Sequence, residues 1–473
     1  MSAKFKFFSI LAIMLLAAFF RFWGLTQIPP GLYPDEAMNG NNALEAIAHK
    51  DWKVFYPENN GREGLFINVQ SAFIYFLGNK PWVLRLPSAI FGTLTVLGLY
   101  FLAKPLFTER IALLASFFLA ASFWHINFSR IGFRAIMAPF FLVWALYFLL
   151  RFYKNEGSNF SQTLSAVFGG ILFGLGFHTY IAYRITPLIL LSLLGKHSMF
   201  ARKSCFPCLA ALFLFFAFIA ALPLGIYYLQ NPQDFFGRTA QISIFSLSAQ
   251  AGDPSPLGAL SENVVKTAGM FWFVGDFNWR HNFSGAAQLW WPVGVFFAVG
   301  LLTARNIFLF SWLFLGLLPV VVSSEGLPHA LRAIIVLPPV MIFSALGAEW
   351  LLSKIRPKLG LGLLAALIIA LPIWTFNQYF LRWAKHPQTY DAFAGNYAEL
   401  ARKLNSLPPD IPKYVIVNAA GVEVRGIPMS AQSVMFLTDT FLPEKQKEKN
   451  IFYLKSDALP PANGIIVKLE PEK

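Results

Sequence analysis

Charge is scarce in this sequence. Only 13% of its 473 residues are Asp, Glu, Lys or Arg, against roughly 25% in soluble domains. So little polar surface cannot wet a globule of this size, which excludes an ordinary soluble enzyme. Cysteine is nearly lacking too, and two residues exclude a disulfide framework or a Cys-rich metal cluster. Those two, Cys205 and Cys208, form a C-x-x-C in a basic loop, with no second pair for zinc and no thioredoxin-like surroundings, so no function is read there. No P-loop and no G-x-G-x-x-G after a strand occurs, and chemistry driven by ATP or a dinucleotide has no support. No repeat of obvious period is visible. What is abundant is apolar: 56% of residues are hydrophobic, with 51 Phe and 13 Trp. The mean hydropathy is +0.54. A disordered chain could not keep so many rings solvated. The formal charge of +14 comes from basic residues lying between apolar runs, which reads as membrane topology rather than as a nucleic-acid surface. This is a polytopic membrane protein.

The first apolar stretch, 7–26, follows Lys4 and Lys6 and ends in aromatic residues and Arg21 instead of a small-x-small cleavage site. It reads as an uncleaved span. Further stretches near the ~20 residues needed to cross a bilayer lie at 86–103, 111–127, 135–151, 162–178, 185–200, 206–229, 289–304, 306–322, 332–350 and 358–377. The expectation is about eleven transmembrane helices. Alternate connections carry Lys104 and Arg110, Arg151 and Lys154, Lys196, Arg202 and Lys203, Arg305, and Lys354, Arg356 and Lys358. With Lys4 and Lys6 these place the N-terminus inside, and an odd span count places the C-terminus outside. The outer side then holds a long first loop (27–85), a second (230–288) and a tail (378–473). The tail is expected to be a small soluble α/β domain. Its amphipathic stretch YDAFAGNYAELARKLNS precedes strand-like runs KYVIVNA, SVMFLT, IFYL and GIIVKL. Residues 1–377 form the membrane domain.

Chemistry is concentrated at the outer ends. Asp35 and Glu36 follow Pro29, Pro30 and Pro34 just past the first span, where a base would meet a membrane-bound substrate. The segment after them suits a short helix whose first turn holds both acids, and acids also suit that position as helix-terminus residues. Arg62 and Glu63 lie in GREGLF, ahead of an amphipathic stretch ending near Trp82 that fits an interfacial helix. Arg130, Arg134, Arg184 and Arg332 recur beside His and aromatic residues: HINFSRIGFRAI, HTYIAYR and GLPHALRA. Arg suits bidentate grip on phosphate oxygens, and the competing reading for any one of them is snorkelling toward lipid headgroups. No H-x-x-x-H or H-E-x-x-H spacing occurs, so each lone His reads as structural.

On these motifs (YPDE at 33–36, GREGLF at 61–66, LRLPSAIFGTL at 84–94, HINFSRIGFRAI, HTYIAYR, GDFNWRHN at 275–282 and EGLPHALRAI at 325–334) the chain resembles the GT-C class of polytopic glycosyltransferases. It is most similar to the branch containing protein O-mannosyltransferases and aminoarabinose transferases, the dolichyl-phosphate-mannose-protein mannosyltransferase-like group. The resemblance covers nearly all of 1–377. It implies an all-α GT-C fold and an inverting transfer from a polyprenyl-phosphate sugar to a hydroxyl acceptor, with Asp35 as general base. It also implies Glu36 as auxiliary acid or ligand of a divalent metal ion with Glu63. Arg130, Arg134, Arg184 and Arg332 become donor-phosphate ligands. Arg62, Glu63, Tyr180, Tyr183, Trp279 and His281 become substrate contacts. The expected partners are the lipid-linked donor, an acceptor protein, lipid or polysaccharide, and membrane lipids, with no nucleic acid. The expected location is the plasma membrane. Aminoarabinose transferases carry Arg shortly after the acid pair, where Ala37 and Met38 stand here, so that substrate is not carried over. Two rival classes remain: a lipid-linked sugar flippase, and a non-catalytic glycolipid-binding subunit. A flippase would place ionisable residues near the bilayer midplane, whereas here they cluster at one rim.

Overall fold

The computed structural model describes residues 2–154, 156–194, 206–245, 256–419, 422–461 and 463–470. Cys205 and most of the basic loop before it, including Lys196, Arg202 and Lys203, lie outside the described residues. The fold is mostly helical. Among the described residues, six helices are long and apolar enough to cross a membrane: Ala3–Phe22, Pro81–Leu106, Arg134–Tyr153, Phe206–Gln230, Ile334–Ser353 and Pro357–Trp383. The other expected spans are also helical but shorter, such as Glu109–Ala120, Asn159–Gly176, Trp291–Thr303 and Ile307–Val321. The count of about eleven crossings therefore stays an expectation. The amphipathic stretch of the first loop is the helix Leu65–Leu77, with Phe66, Ile67, Gln70, Ser71 and Ile74 buried.

The chain divides into two compact units. The first comprises Met1–Trp23, Ala89–Ser129 and Arg134–Gln378, and the second comprises Gly24–Ser88, Arg130–Phe133 and Tyr379–Lys473. The expected start of the tail at 378 thus falls beside a unit boundary, and the first loop shares its unit with the tail.

In the first unit, helix Trp291–Thr303 runs against Leu337–Ser353 at backbone distance. A Cβ on Gly300 would sit 1.9 Å from the Phe343 carbonyl oxygen, and one on Gly347 would sit 1.9 Å from that of Phe296. Small residues at such crossings let helices approach without a hydrophobic drive from solvent. Arg21, fully buried, closes the end of helix Glu109–Ala120 by donating to the carbonyls of Leu119 (3.3 Å) and Ala120 (3.1 Å). A cation suits the unsatisfied carbonyls at a helix C-terminus.

In the second unit, three parallel strands make a sheet with Lys413–Val417 between Ile451–Lys455 and Ile465–Leu469. Val415 and Val417 alternate inward, and helix Gly395–Ser406 adds Tyr397, Ala401 and Leu404 to the same core. Met38 from the first loop belongs to that core as well, which is how loop and tail become one body. Gly31 passes so close to the tail that a Cβ there would lie 2.0 Å from the Phe393 carbonyl oxygen. The small α/β unit is present as expected, with one correction. SVMFLT is not a strand but part of helix Ala431–Thr438, which stops at Asp439 in the left-handed conformation. A six-residue apolar run fits either period, and packing decides: Val434 and Met435 fill the tail core, while Phe436 packs with Leu32, Ala37 and Leu84.

Candidate functional site

The acid pair sits where the sequence places it, in the first turn of helix Pro34–His49, with Pro34 at its first position. The two acids have different surroundings. Asp35 is partly exposed, and its Oδ1 accepts from Asn59 Nδ2 at 2.5 Å. Glu36 is fully buried. Its Oε1 accepts from Arg85 Nε at 3.0 Å and from the Gly132 amide at 2.6 Å, and its Oε2 accepts from Arg85 Nη2 at 3.0 Å. Arg85 also donates to the carbonyls of Pro29 (2.8 Å) and Gly31 (2.5 Å). Both oxygens of Glu36 are thus committed to a bidentate pair, the arrangement that fixes geometry best. The residues do not fit the expected metal ligation, and neither Glu36 nor Glu63 belongs to a cluster of three ligating groups among the described residues. Glu36 anchors the proline-rich turn that presents Asp35.

Behind Asp35 the loop is braced by amides. Arg62, only 3% exposed, donates to Asn39 Oδ1 at 2.7 Å and to Asn42 Oδ1 at 2.6 Å. Asn59, Asn60 and Gly61 all take positive φ, a tight reversal that aims the Asn59 amide at the acid. Glu58 is held from the tail: Arg425 Nε reaches Glu58 Oε1 at 2.8 Å and its Nη2 reaches Glu45 Oε2 at 2.9 Å. Burial pushes the Glu45 carboxyl up, but the hydrogen bond and charge of Arg425 outweigh it and hold the group below its ordinary value. Glu63 is buried in a two-residue strand opposite Phe55. Arg130 is also fully buried, donating to the Ile28 carbonyl at 3.1 Å beneath Tyr379 and Phe380. It serves the core of its unit rather than an open phosphate site.

The other three arginines gather in the first unit. Arg184 and Arg332 line one cavity of about 330 Å³ together with Tyr180 and Ser323, whose remaining wall is largely apolar, including Leu318 and Val322. Arg134 lies over the Tyr180 ring at 5.8 Å. Arg184 donates to the Phe235 carbonyl at 3.0 Å and the Tyr228 hydroxyl at 3.1 Å. Both acceptors are neutral, so they leave its charge in place. Arg332 donates to Ser323 Oγ and to the Glu325 carbonyl (3.1 Å) and pairs with Glu325 Oε2 at 3.3 Å. An apolar chamber with guanidinium groups on its wall suits a lipid chain ending in an anion. Tyr183 does not reach this chamber: it is fully buried among Phe173 and Phe177, a core residue rather than a substrate contact.

Trp279 is half-buried against Phe283, with ring centroids 5.0 Å apart. His281 is not an open sugar contact, because its Nδ1 meets Asp276 Oδ2 at 3.0 Å and its ring faces Phe128 and His329. Asp276 also accepts from the amides of Asn278 and Ala330, each at 2.8 Å. Sequence reasoning missed Arg85, Asn59, Asp276 and Arg425. Arg85 carried a signal: an arginine in the first turns of an apolar helix must find a buried partner.

Comparison with known proteins places the fold. Residues 65–226 match the family model described as dolichyl-phosphate-mannose-protein mannosyltransferase. No curated protein matches the chain in sequence. Among solved structures, ArnT from Cupriavidus metallidurans in the apo state is 14% identical, with a TM-score of 0.58 over 93% of this chain and 85% of that one. The same protein bound to undecaprenyl phosphate gives 13% identity and a TM-score of 0.57, over 93% and 86% of the two chains. The oligosaccharyltransferase AglB from Archaeoglobus fulgidus, in complex with an inhibitory peptide and a dolichol-phosphate, is 15% identical. Its TM-score is 0.56, over 92% of this chain and 63% of that one. The chain shares the fold of these solved structures.

Proposed function

We propose that this chain is an inverting glycosyltransferase that moves a sugar from a polyprenyl-phosphate donor to an acceptor hydroxyl at the outer face of the plasma membrane. The observation that carries the reading is the apolar cavity walled by Arg184 and Arg332, in a fold of which one member is bound to undecaprenyl phosphate. The lipid lies along the apolar wall, and the two guanidinium groups, with Arg134 and Tyr180 beside them, bind the phosphate oxygens. Asp35 takes the proton of the acceptor hydroxyl as its oxygen attacks the anomeric carbon. The bond from that carbon to the phosphate oxygen breaks, and polyprenyl phosphate leaves with the electron pair. A phosphate leaving group needs little protonation, so one base and cationic stabilisation of the departing charge suffice. Glu36, Arg85, Arg62 and Asn59 are positioning residues that fix Asp35. The N-terminus is cytoplasmic and the tail extracytoplasmic, and the acceptor is a protein, lipid or polysaccharide.

The test is transfer in proteoliposomes containing purified protein, a panel of labelled polyprenyl-phosphate sugars and a cell-envelope extract as acceptor source. The reading expects label to move to the extract with matching release of polyprenyl phosphate from one donor. Label that crosses the bilayer still attached to its lipid would instead favour a flippase.

A further inference from the structure

We infer that Asp276, His281 and His329 form a binding site for a divalent transition metal of the zinc class, separate from the acid pair of the first loop. One ligand atom from each residue lies within 4.8 Å of the other two. Asp276 Oδ2 stands 3.0 Å from His281 Nδ1 and 3.9 Å from His329 Nδ1. Ligands held about 2.0–2.1 Å from a tetrahedral zinc ion stand roughly 3.3 Å from one another, so the two separations from Asp276 close with shifts below an ångström and the widest of the three with about 1.5 Å at most. Two imidazoles and one carboxylate select zinc and its neighbours over magnesium or calcium, which take oxygen ligands. Three protein ligands leave a fourth position for water or another donor.

The Arg332 amide donates to His329 Nδ1 at 3.4 Å, a long contact that a metal ion would displace to take the lone pair of that nitrogen. The donors are also held before any ion binds. Asp276 accepts the amides of Asn278 and Ala330. Its loop is closed by Gly275 donating to the Gly285 carbonyl (3.1 Å) and by Gly285 donating to the Asp276 carbonyl (3.0 Å). Such outer contacts orient ligands and strengthen metal binding. The ion would fasten the loop around 275–286 to the turn at 329–332, and that turn carries Arg332 to the wall of the cavity. The site stands whether or not the chain transfers sugar, because its test reads binding alone.

The experiment uses full-length protein in detergent, stripped with chelator and carrying no polyhistidine tag, titrated with cobalt(II) chloride and then zinc chloride. The expected result is about one equivalent of cobalt with the visible bands of a low-coordinate site, lost on zinc addition, and a rise in Tm with either metal. His329→Gln should abolish the bands. His281→Cys should keep binding and add a thiolate-to-cobalt charge-transfer band, a signature that only a direct ligand produces. Cobalt uptake far below one equivalent would overturn the proposal, as would bands unchanged by His329→Gln or no new band in His281→Cys.

Discussion

Replacing Arg85 with methionine removes four hydrogen bonds from a buried guanidinium while nearly keeping its volume. The guanidinium holds both oxygens of Glu36 at 3.0 Å and the carbonyls of Pro29 and Gly31. In Arg85→Met the Glu36 carboxylate, itself inaccessible to solvent, keeps only the Gly132 amide among these partners. Removing one partner of a buried ion pair costs about 3–5 kcal/mol. At roughly 2–4 °C per kcal/mol for units of 150–250 residues, Tm should fall by about 6–20 °C. Adding Glu36→Gln neutralises the stranded charge, so the double variant should melt above Arg85→Met alone. The assay is thermal unfolding in detergent followed by tryptophan fluorescence, run as a double-mutant cycle. An Arg85→Met protein melting within about 2 °C of wild type, or a double variant no better than the single, would refute the anchoring role of Glu36.

Arg184→Ala and Arg332→Ala should each weaken undecaprenyl phosphate binding by on the order of 10- to 100-fold, since a charge-assisted hydrogen bond is worth about 1.5–3 kcal/mol. Equilibrium binding to purified protein checks this, and unchanged affinity in both variants would contradict the cavity assignment. Arg425→Gln should remove one acid-sensitive step in stability. Glu45 has a folded pKa held below its ordinary value by Arg425, so its contribution is present above the unfolded value of about 4.3 and is lost as pH falls through the lower folded value. Tm measured against pH should show that step in wild type and lose it in the variant.

Much of the fold was legible because its signals are local. Lengths of apolar run and placement of Lys and Arg announce helices in a membrane protein, and each expected apolar segment contains a helix where it is described, although 111–127 is broken at Ala121 and Ser122. Asp35 and Glu36 fell in a helix first turn because Pro34 and the acids are themselves start signals. Their division of labour was hidden, because it depends on Arg85 and Gly132, 49 and 96 residues away from Glu36. The union of first loop and tail was hidden for the same reason, since Asn41 meets Gln432 across 391 residues. Tyr183 and Arg130 looked like site residues by type and neighbourhood, yet both are fully buried. Only the packing of Phe173 and Phe177 around one, and of Tyr379 and Phe380 over the other, distinguishes them from Tyr180 and Arg184. Asp276 lay inside the motif GDFNWRHN, yet its meeting with His329 was hidden, because that partner follows 53 positions later.

The central claim is that Asp35 is the base of a transfer from polyprenyl phosphate. The most direct measurement is single-turnover release of polyprenyl phosphate from labelled donor in proteoliposomes, comparing wild type with Asp35→Asn at matched protein and matched Tm. Asparagine keeps the size of the side chain but cannot accept the proton, so release should slow by about 10²- to 10⁴-fold, with donor binding unchanged. Equal release by the two proteins would contradict the claim and remove Asp35 from the reaction.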